Sequence, residues 1–116
     1  MNLIQIYQCF CDVTRLRILH LLTQGPLCVC HFQEILDIPQ AKVSQHLAYL
    51  RKHELVETSR RGNWMIYNLP ARRPAELKKN LSCLQDCVTS DKQFRDDLKK
   101  RRKAIACCDW LENSCC

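Results

Sequence analysis

The chain has 116 residues, 47% of them hydrophobic and 26% charged, so it contains enough apolar material for one folded domain and is not a disordered segment. Its two glycines, Gly25 and Gly62, are too few and too far apart for a glycine-rich phosphate loop. The net charge of +6 comes from the second half, because residues 1–58 hold five basic and five acidic side chains and residues 59–116 hold thirteen and seven. This surplus favours a polyanionic partner.

No apolar run reaches the roughly 18 residues that a membrane-spanning helix needs, and the N-terminus lacks the pattern of a secretory signal. We therefore expect a cytoplasmic protein without a membrane partner, whose thiols are free to bind a soft metal or to be oxidised. The ten cysteines occur as close pairs, which suits a shared thiophilic ion better than loop-closing disulfides. The pairs are Cys9/Cys11, Cys28/Cys30, Cys83/Cys87, Cys107/Cys108 and Cys115/Cys116.

Helical periodicity dominates the first half of the chain. Two helices are predicted within residues 3–22, joined near Cys11-Asp12, and Asp12 is expected to cap the second. A short helix follows over residues 28–36. The next is predicted over residues 39–52, starting at Pro39 as its first helical residue, with a buried stripe of Val43, Leu47 and Leu50.

The period then changes to that of a hairpin. Residues 55–59 and 64–69 are predicted strands joined by the turn Arg60-Arg61-Gly62-Asn63. Helices are predicted over residues 75–88 and 91–107. The fold class is therefore mainly α, with five to six helices and a two-stranded wing. Residues 1–88 are predicted to form the main domain, and residues 89–116 are predicted to add a C-terminal helix and a cysteine-rich tail to it.

Two helices across a tight connection, followed by a basic hairpin, are the layout of a winged helix-turn-helix. Amide, hydroxyl and cationic side chains suit base edges and phosphates. Simpler roles are open for some of them, since His46 could be structural, Lys42 solvated and the arginines ordinary turn cations. The predicted DNA-binding residues are Gln40, Lys42, Ser44, Gln45, His46, Arg60, Arg61 and Asn63.

Four segments, residues 12–19, 27–30, 43–51 and 62–67, resemble the ArsR/SmtB family of metal-responsive repressors, and the resemblance covers about residues 3–70. It implies a homodimer, paired through the first and the post-wing helices, that binds double-stranded operator DNA without metal and releases it with metal. It implies no enzyme, no organic cofactor and no protein substrate. The dimer interface would include Leu3, Ile6, Tyr7, Leu77, Leu81 and Leu84.

Trivalent arsenic and antimony are thiophilic, and three thiolates match their softness. Some arsenic sensors of the family carry an adjacent Cys-Cys and a later Cys near the C-terminus. That resemblance predicts As(III) or Sb(III) as inducer and Cys107, Cys108 and Cys115 as ligands, with Cys116 as an alternative.

Two other cysteine pairs stay open as ligands. Cys28 and Cys30 match a second sensor type, but Gln33 stands where its third cysteine would be, and residues two apart on a helix point about 200° apart. Cys83 and Cys87 share a helical face and are expected to be buried spacers, although Cys83 could join the C-terminal pair.

Three alternatives remain. The same fold could respond to thiol oxidation or persulfide. The resemblance also extends to cadmium or lead sensors of the family, in which N-terminal cysteines such as Cys9 and Cys11 combine with the Cys28/Cys30 pair, although here Cys9 and Cys11 lie within the first helix. A protein of another class, a cysteine-rich metal buffer, would have no DNA role.

Overall fold

The computed structural model describes residues 2–107, except for the side chain of Cys107. Within that range it contains six helices and three strands, which confirms the mainly α fold class. In chain order they are α1 (Leu3–Phe10), α2 (Val13–Leu22), β1 (Leu27–Cys28), α3 (Val29–Leu36), α4 (Gln40–Lys52), β2 (Glu57–Arg61), β3 (Trp64–Asn68), α5 (Ala75–Cys87) and α6 (Lys92–Cys107). None of these helices is long and apolar enough to cross a membrane.

The helix starts follow local side-chain chemistry. Oδ1 of Asp12 accepts a hydrogen bond from the backbone N–H of Arg15 at 3.1 Å, so Asp12 caps α2 as predicted. Pro39 is the residue before α4, not its first helical residue as predicted. Asp37 ends α3 in the left-handed conformation, with φ 55°, and this sharp reversal directs the chain into α4.

The sheet contains a third strand, β1, that the sequence does not reveal. The sheet is antiparallel in the order β1-β3-β2, and β1 pairs Leu27 with Tyr67 and Cys28 with Ile66. The predicted two-stranded hairpin is confirmed as β2 and β3, whereas the third strand, β1, was not predicted because a two-residue strand has no periodicity to detect. The turn is also shorter than predicted. It consists of Gly62 and Asn63, so that both arginines belong to β2.

The core lies between the helices and draws on each of them. Val43, Leu47 and Leu50 of α4 are fully buried, which confirms the predicted stripe. Four of the six residues predicted for the dimer interface lie in the same core, because α1 and α5 turn their main apolar stripes inward. They are Ile6, Leu77, Leu81 and Leu84.

An ion pair fastens α6 to α2. The Arg17 guanidinium donates to both carboxylate oxygens of Asp97, each at 2.9 Å, and Nε2 of Gln93 donates to the same carboxylate at 3.2 Å. Asp97 is fully buried. Beside it, the buried His20 ring packs edge-on against Phe94. Burial lowers the pKa of His20, although the charge of Asp97 opposes the shift, so this contact is made by a neutral imidazole.

Candidate nucleic-acid interface and thiol site

The outward face of α4 presents most of the residues predicted to read DNA. Gln40, Lys42, Ser44 and Gln45 are exposed. His46 is half-buried and lies near Asp12 at the start of α2. Burial tends to raise the pKa of Asp12, but the Arg15 backbone hydrogen bond and the charge of His46 lower it overall. His46 therefore contributes to helix packing, and its contact with DNA stays a prediction.

The wing presents the remaining predicted residues. Arg60, Arg61 and Asn63 are exposed at the end of the hairpin. Arg60 lies opposite Met65, two residues from Tyr67, and side chains alternate along a strand. Arg60 and Tyr67 therefore share the sheet face that borders α4.

A groove of 410 Å³ runs between α4 and β3 and shows two cations that the sequence analysis missed. Arg51 and Lys52 line it together with Ser44, Ala48 and Tyr67. Arg51 lies seven residues after Ser44, two helical turns along the same face. This spacing could have identified Arg51 as a neighbour of Ser44 on the predicted DNA-facing side of α4 from the sequence alone. Arg51 and Lys52 thus add positive charge at the last turn of α4, along the groove between that helix and β3.

Arg15 fixes the position of α4 relative to the first two helices. Its guanidinium carbon lies 4.3 Å from the centroid of the Tyr49 ring. The same side chain donates hydrogen bonds to the backbone oxygens of Cys9 at 3.1 Å and Gln8 at 3.0 Å. One side chain therefore joins α1, α2 and α4.

Cys28 and Cys30 meet at the start of α3, with their sulfur atoms 2.7 Å apart. Two residues of a regular helix could not converge in this way. Cys28, however, is the residue before the helix and has an extended backbone (φ −95°, ψ 170°), held by its pairing with Ile66. Strand β1 thus supplies the distortion that a site at these two residues requires.

His31 completes the surroundings of Cys28. Its Nδ1 lies 3.3 Å from the Cys28 backbone nitrogen and 3.4 Å from the Cys28 sulfur. Burial by itself raises the pKa of Cys28, but hydrogen bonds with His31 and Cys30 outweigh it and lower that pKa from 9.0 to about 6. A large fraction of Cys28 is therefore thiolate at neutral pH, the form that binds metals and attacks electrophiles.

Cys30 opens onto a surface cavity of 740 Å³ that reaches the helix-turn-helix connection. Its other lining residues are Gln33, Glu34, Asp37, Ile38 and Pro39. Among the described residues no three or more His, Cys, Asp or Glu side chains are grouped to hold a metal ion. The site therefore supplies two thiols, next to the chain that leads into α4.

The remaining cysteines are placed differently. Cys9 is fully buried, and burial raises its pKa despite the nearby charge of Arg15, so it behaves as a core thiol. Cys11 is exposed. Cys83 and Cys87, expected to be buried spacers, lie on the exposed face of α5. The predicted ligands Cys108, Cys115 and Cys116 lie outside the described residues, as does the side chain of Cys107.

Comparison with known proteins agrees with this arrangement. Residues 12–58 match the family described as "Bacterial regulatory protein, arsR family". The arsenic resistance transcriptional regulator ArsR1 of Pseudomonas putida is 31% identical over 108 residues, which cover 89% of this chain and 84% of that protein. The chain belongs to the ArsR family. The arsenical resistance operon repressor of Escherichia coli is 42% identical over 77 residues, which cover 66% of each protein.

A solved structure supports the ArsR fold. Reduced HlyU from Vibrio cholerae superposes with a TM-score of 0.66 at 28% identity, over 74% of this chain and 87% of that one. The 116-residue chain is therefore a DNA-binding transcriptional regulator of the ArsR family with a winged helix-turn-helix, and it is not an enzyme. Membership of the family also weighs against a metal buffer without a DNA role.

The lowered pKa of Cys28 predicts how its alkylation depends on pH. The rate with iodoacetamide should fall as the pH drops through about 6, because the thiolate is the nucleophile. In Cys30→Ser and His31→Ala the midpoint should move up towards 9.0, since each change removes a hydrogen bond that lowers the pKa. Mass spectrometry of the peptide containing Cys28 measures the rate. An unchanged midpoint in both variants would contradict the assignment.

Proposed function

We propose that this ArsR-family repressor binds double-stranded operator DNA as a homodimer and releases it when arsenite or antimonite binds cysteine thiolates that include Cys28 and Cys30. The observation that carries the proposal is the 2.7 Å approach of the two sulfur atoms at the first turn of α3. Sequence patterns alone favour the C-terminal cysteines as ligands. The geometry and thiolate character of Cys28 and Cys30 support this pair as donors.

The site lies between both DNA-contacting elements. Cys28 is hydrogen-bonded within the sheet to β3 of the wing, and Cys30 belongs to α3, which leads through the turn at Asp37 into α4. An ion bound to both sulfur atoms must move them apart from 2.7 Å, because sulfurs that share an ion through bonds of about 2.3 Å lie well over 3 Å from each other, and this changes the direction in which α3 leaves β1. Such a change alters the spacing between recognition helix and wing, and DNA is bound less tightly by the liganded conformer.

Soft trivalent arsenic and antimony are the ions that a thiolate site favours. The names of the relatives from Pseudomonas putida and Escherichia coli refer to arsenic or arsenical resistance, which supports the same choice. Two thiolates satisfy two of the three bonds of arsenite. The C-terminal cysteines, Cys107, Cys108, Cys115 and Cys116, stay predicted donors of the third.

An apolar patch on α1 supports the homodimer. Leu3, Ile4 and Tyr7 are 44%, 69% and 50% exposed, and they lie within one and a half turns of one short helix. Val13 at the start of α2 is 63% exposed. Large apolar side chains grouped on a surface mark a contact with another protein. Leu3 and Tyr7, two residues of the predicted interface, are therefore available to a second copy of the chain.

The proposal is tested by adding arsenite to the protein bound to DNA from upstream of its own gene. In Cys28→Ser/Cys30→Ser the arsenite concentration for half-release should rise roughly 5–150-fold, because a coupling of about 1–3 kcal/mol is lost. Fluorescence anisotropy of labelled DNA measures release. Cys11→Ser is the matched control, since Cys11 is exposed and separate from the pair, and it should release as the natural chain does.

The C-terminal pair provides the second comparison. If Cys107→Ser/Cys108→Ser also shifts release, both segments hold the ion, which agrees with three thiolates. Normal release by Cys28→Ser/Cys30→Ser, with its DNA affinity intact, would overturn the role of the α3 pair.

A thiol-oxidation switch is the second candidate function, and the thiolate character of Cys28 beside Cys30 favours it. Peroxide would oxidise the two thiols to a disulfide and be reduced to water. In the same anisotropy assay, release by peroxide together with no release by arsenite would select this function over the first.

A further inference from the structure

The cavity beside Cys30 carries a charge opposite in sign to that of the whole chain. Glu34 and Asp37 line it four and seven residues after Cys30, on one face of α3 and at the end of that helix. Both carboxylates are exposed. The described residues that line this cavity include no lysine or arginine, although the chain has a net charge of +6. The electrostatic potential beside this thiol is therefore negative in an otherwise basic protein.

Cys30 is the member of the α3 thiol pair that a reactant meets first. Cys28 is buried, whereas Cys30 is half-buried and opens onto the cavity. The two sulfur atoms lie 2.7 Å apart, so a small molecule that has reached Cys30 is also beside Cys28. Access to both thiols therefore passes the carboxylates of Glu34 and Asp37.

We propose that Glu34 and Asp37 select reactants by charge, admitting uncharged and cationic species to the Cys28/Cys30 pair and repelling anions. A cleft lined by charges of one sign concentrates ligands of the opposite sign and depletes those of the same sign. Arsenite and antimonite are uncharged trihydroxides at neutral pH, so they approach without repulsion. The application to these two inducers rests on the proposed function, whereas the charge selection itself does not.

Selection against anions keeps a reactive thiol pair available. Arsenate and phosphate are anions at neutral pH, and so are small thiols and disulfides that carry carboxylate groups. Such disulfides exchange with thiolates, which would block the pair as a mixed disulfide. The negative potential at the cavity slows their approach to Cys30 and leaves the approach of an uncharged trihydroxide unaffected.

Two alkylating reagents of nearly the same size test the selection, because iodoacetate is an anion and iodoacetamide is uncharged. In both reactions the thiolate sulfur bonds to the CH₂ carbon and iodide leaves, so the thioether forms without an oxidant. Trypsin releases residues 18–42 as a peptide whose only cysteines are Cys28 and Cys30, and fragmentation of that peptide assigns the modification to Cys30. The measured quantity is the iodoacetate rate divided by the iodoacetamide rate at Cys30.

In Glu34→Gln/Asp37→Asn this rate ratio should rise roughly three- to tenfold at low salt, because two charges that repel iodoacetate are lost. Both substitutions suit the local backbone, since glutamine is a good helix former and asparagine readily adopts the left-handed conformation found at residue 37. The ratio of the natural chain should also rise towards that of the variant at about 1 M salt, where the Debye length is only about 3 Å.

Glu54→Gln/Glu57→Gln is the charge-matched control, because it removes two exposed carboxylates that line a different cavity, between the end of α4 and the start of β2. Its rate ratio should equal that of the natural chain. An unchanged ratio in Glu34→Gln/Asp37→Asn, or an equal rise in the control, would overturn the selection. The alkylation uses no arsenite, so charge selection at Cys30 together with arsenite-insensitive DNA binding would support this inference and overturn the proposed function alone.

Discussion

Replacing Asp97 by alanine is expected to lower the free energy of unfolding by about 3 kcal/mol, the lower end of the range for breaking a buried ion pair. The change leaves the Arg17 guanidinium without the carboxylate that accepts two of its hydrogen bonds. The Arg17 side chain keeps 13% exposure, so water can reach it and relieve part of the loss. Domains of this size have a total stability of roughly 5–15 kcal/mol, so the effect is large.

Urea unfolding followed by circular dichroism measures the change. Asp96→Ala is the matched control, because Asp96 is the neighbouring carboxylate on α6 and is only half-buried, and it should change stability by less than about 1 kcal/mol. The double variant Arg17→Met/Asp97→Leu should recover much of the stability, since an apolar pair of similar volume costs no unpaired charge. Equal losses in Asp97→Ala and Asp96→Ala would contradict a specific role for the ion pair.

Helix boundaries and the α4 stripe could be predicted because they depend on residues close in sequence. The cap at Asp12 and the spacing of Val43, Leu47 and Leu50 are local signals that tertiary contacts then reinforce. The Arg17–Asp97 pair joins residues 80 positions apart, and no local pattern marks either partner. Its role in fastening α6 to α2 therefore required the structure.

The thiol site shows how a small long-range contact changes a functional interpretation. Helical geometry argues against convergence of Cys28 and Cys30, and that argument holds for two helical residues. Pairing of Cys28 with Ile66 places Cys28 outside the helix and reverses the conclusion. Strand β1 has only two residues, so neither the pairing nor its consequence could be read from the sequence.

The α1 and α5 stripes illustrate a limit of periodicity. An apolar stripe predicts that a face is buried, but the pattern is the same whether a face packs inside one chain or against another. The structure places Ile6, Leu77, Leu81 and Leu84 inside, and leaves the side of α1 around Ile4 and Tyr7 exposed.

Removing the Gln45 side chain is expected to weaken operator binding by about 1–3 kcal/mol, or roughly 5–150-fold, while leaving binding to unrelated DNA unchanged. Gln45 is exposed on α4, and its amide can hydrogen-bond the edge of a base in the major groove. Arg60→Ala should act differently. Because the wing arginine is predicted to contact phosphate, its loss should weaken binding to both DNAs and reduce the slope of log affinity against log salt by about one.

Anisotropy titrations over a range of salt concentrations, with operator and unrelated DNA, separate the two roles. Lys92→Ala is the charge-matched control for Arg60→Ala, since it removes an exposed cation at the start of α6, away from α4 and the wing in the chain. Its salt slope should equal that of the natural protein. If Gln45→Ala binds operator and unrelated DNA more weakly by the same factor, this side chain positions the helix without reading the base sequence. If Arg60→Ala leaves the slope of log affinity against log salt unchanged, Arg60 does not contact a phosphate.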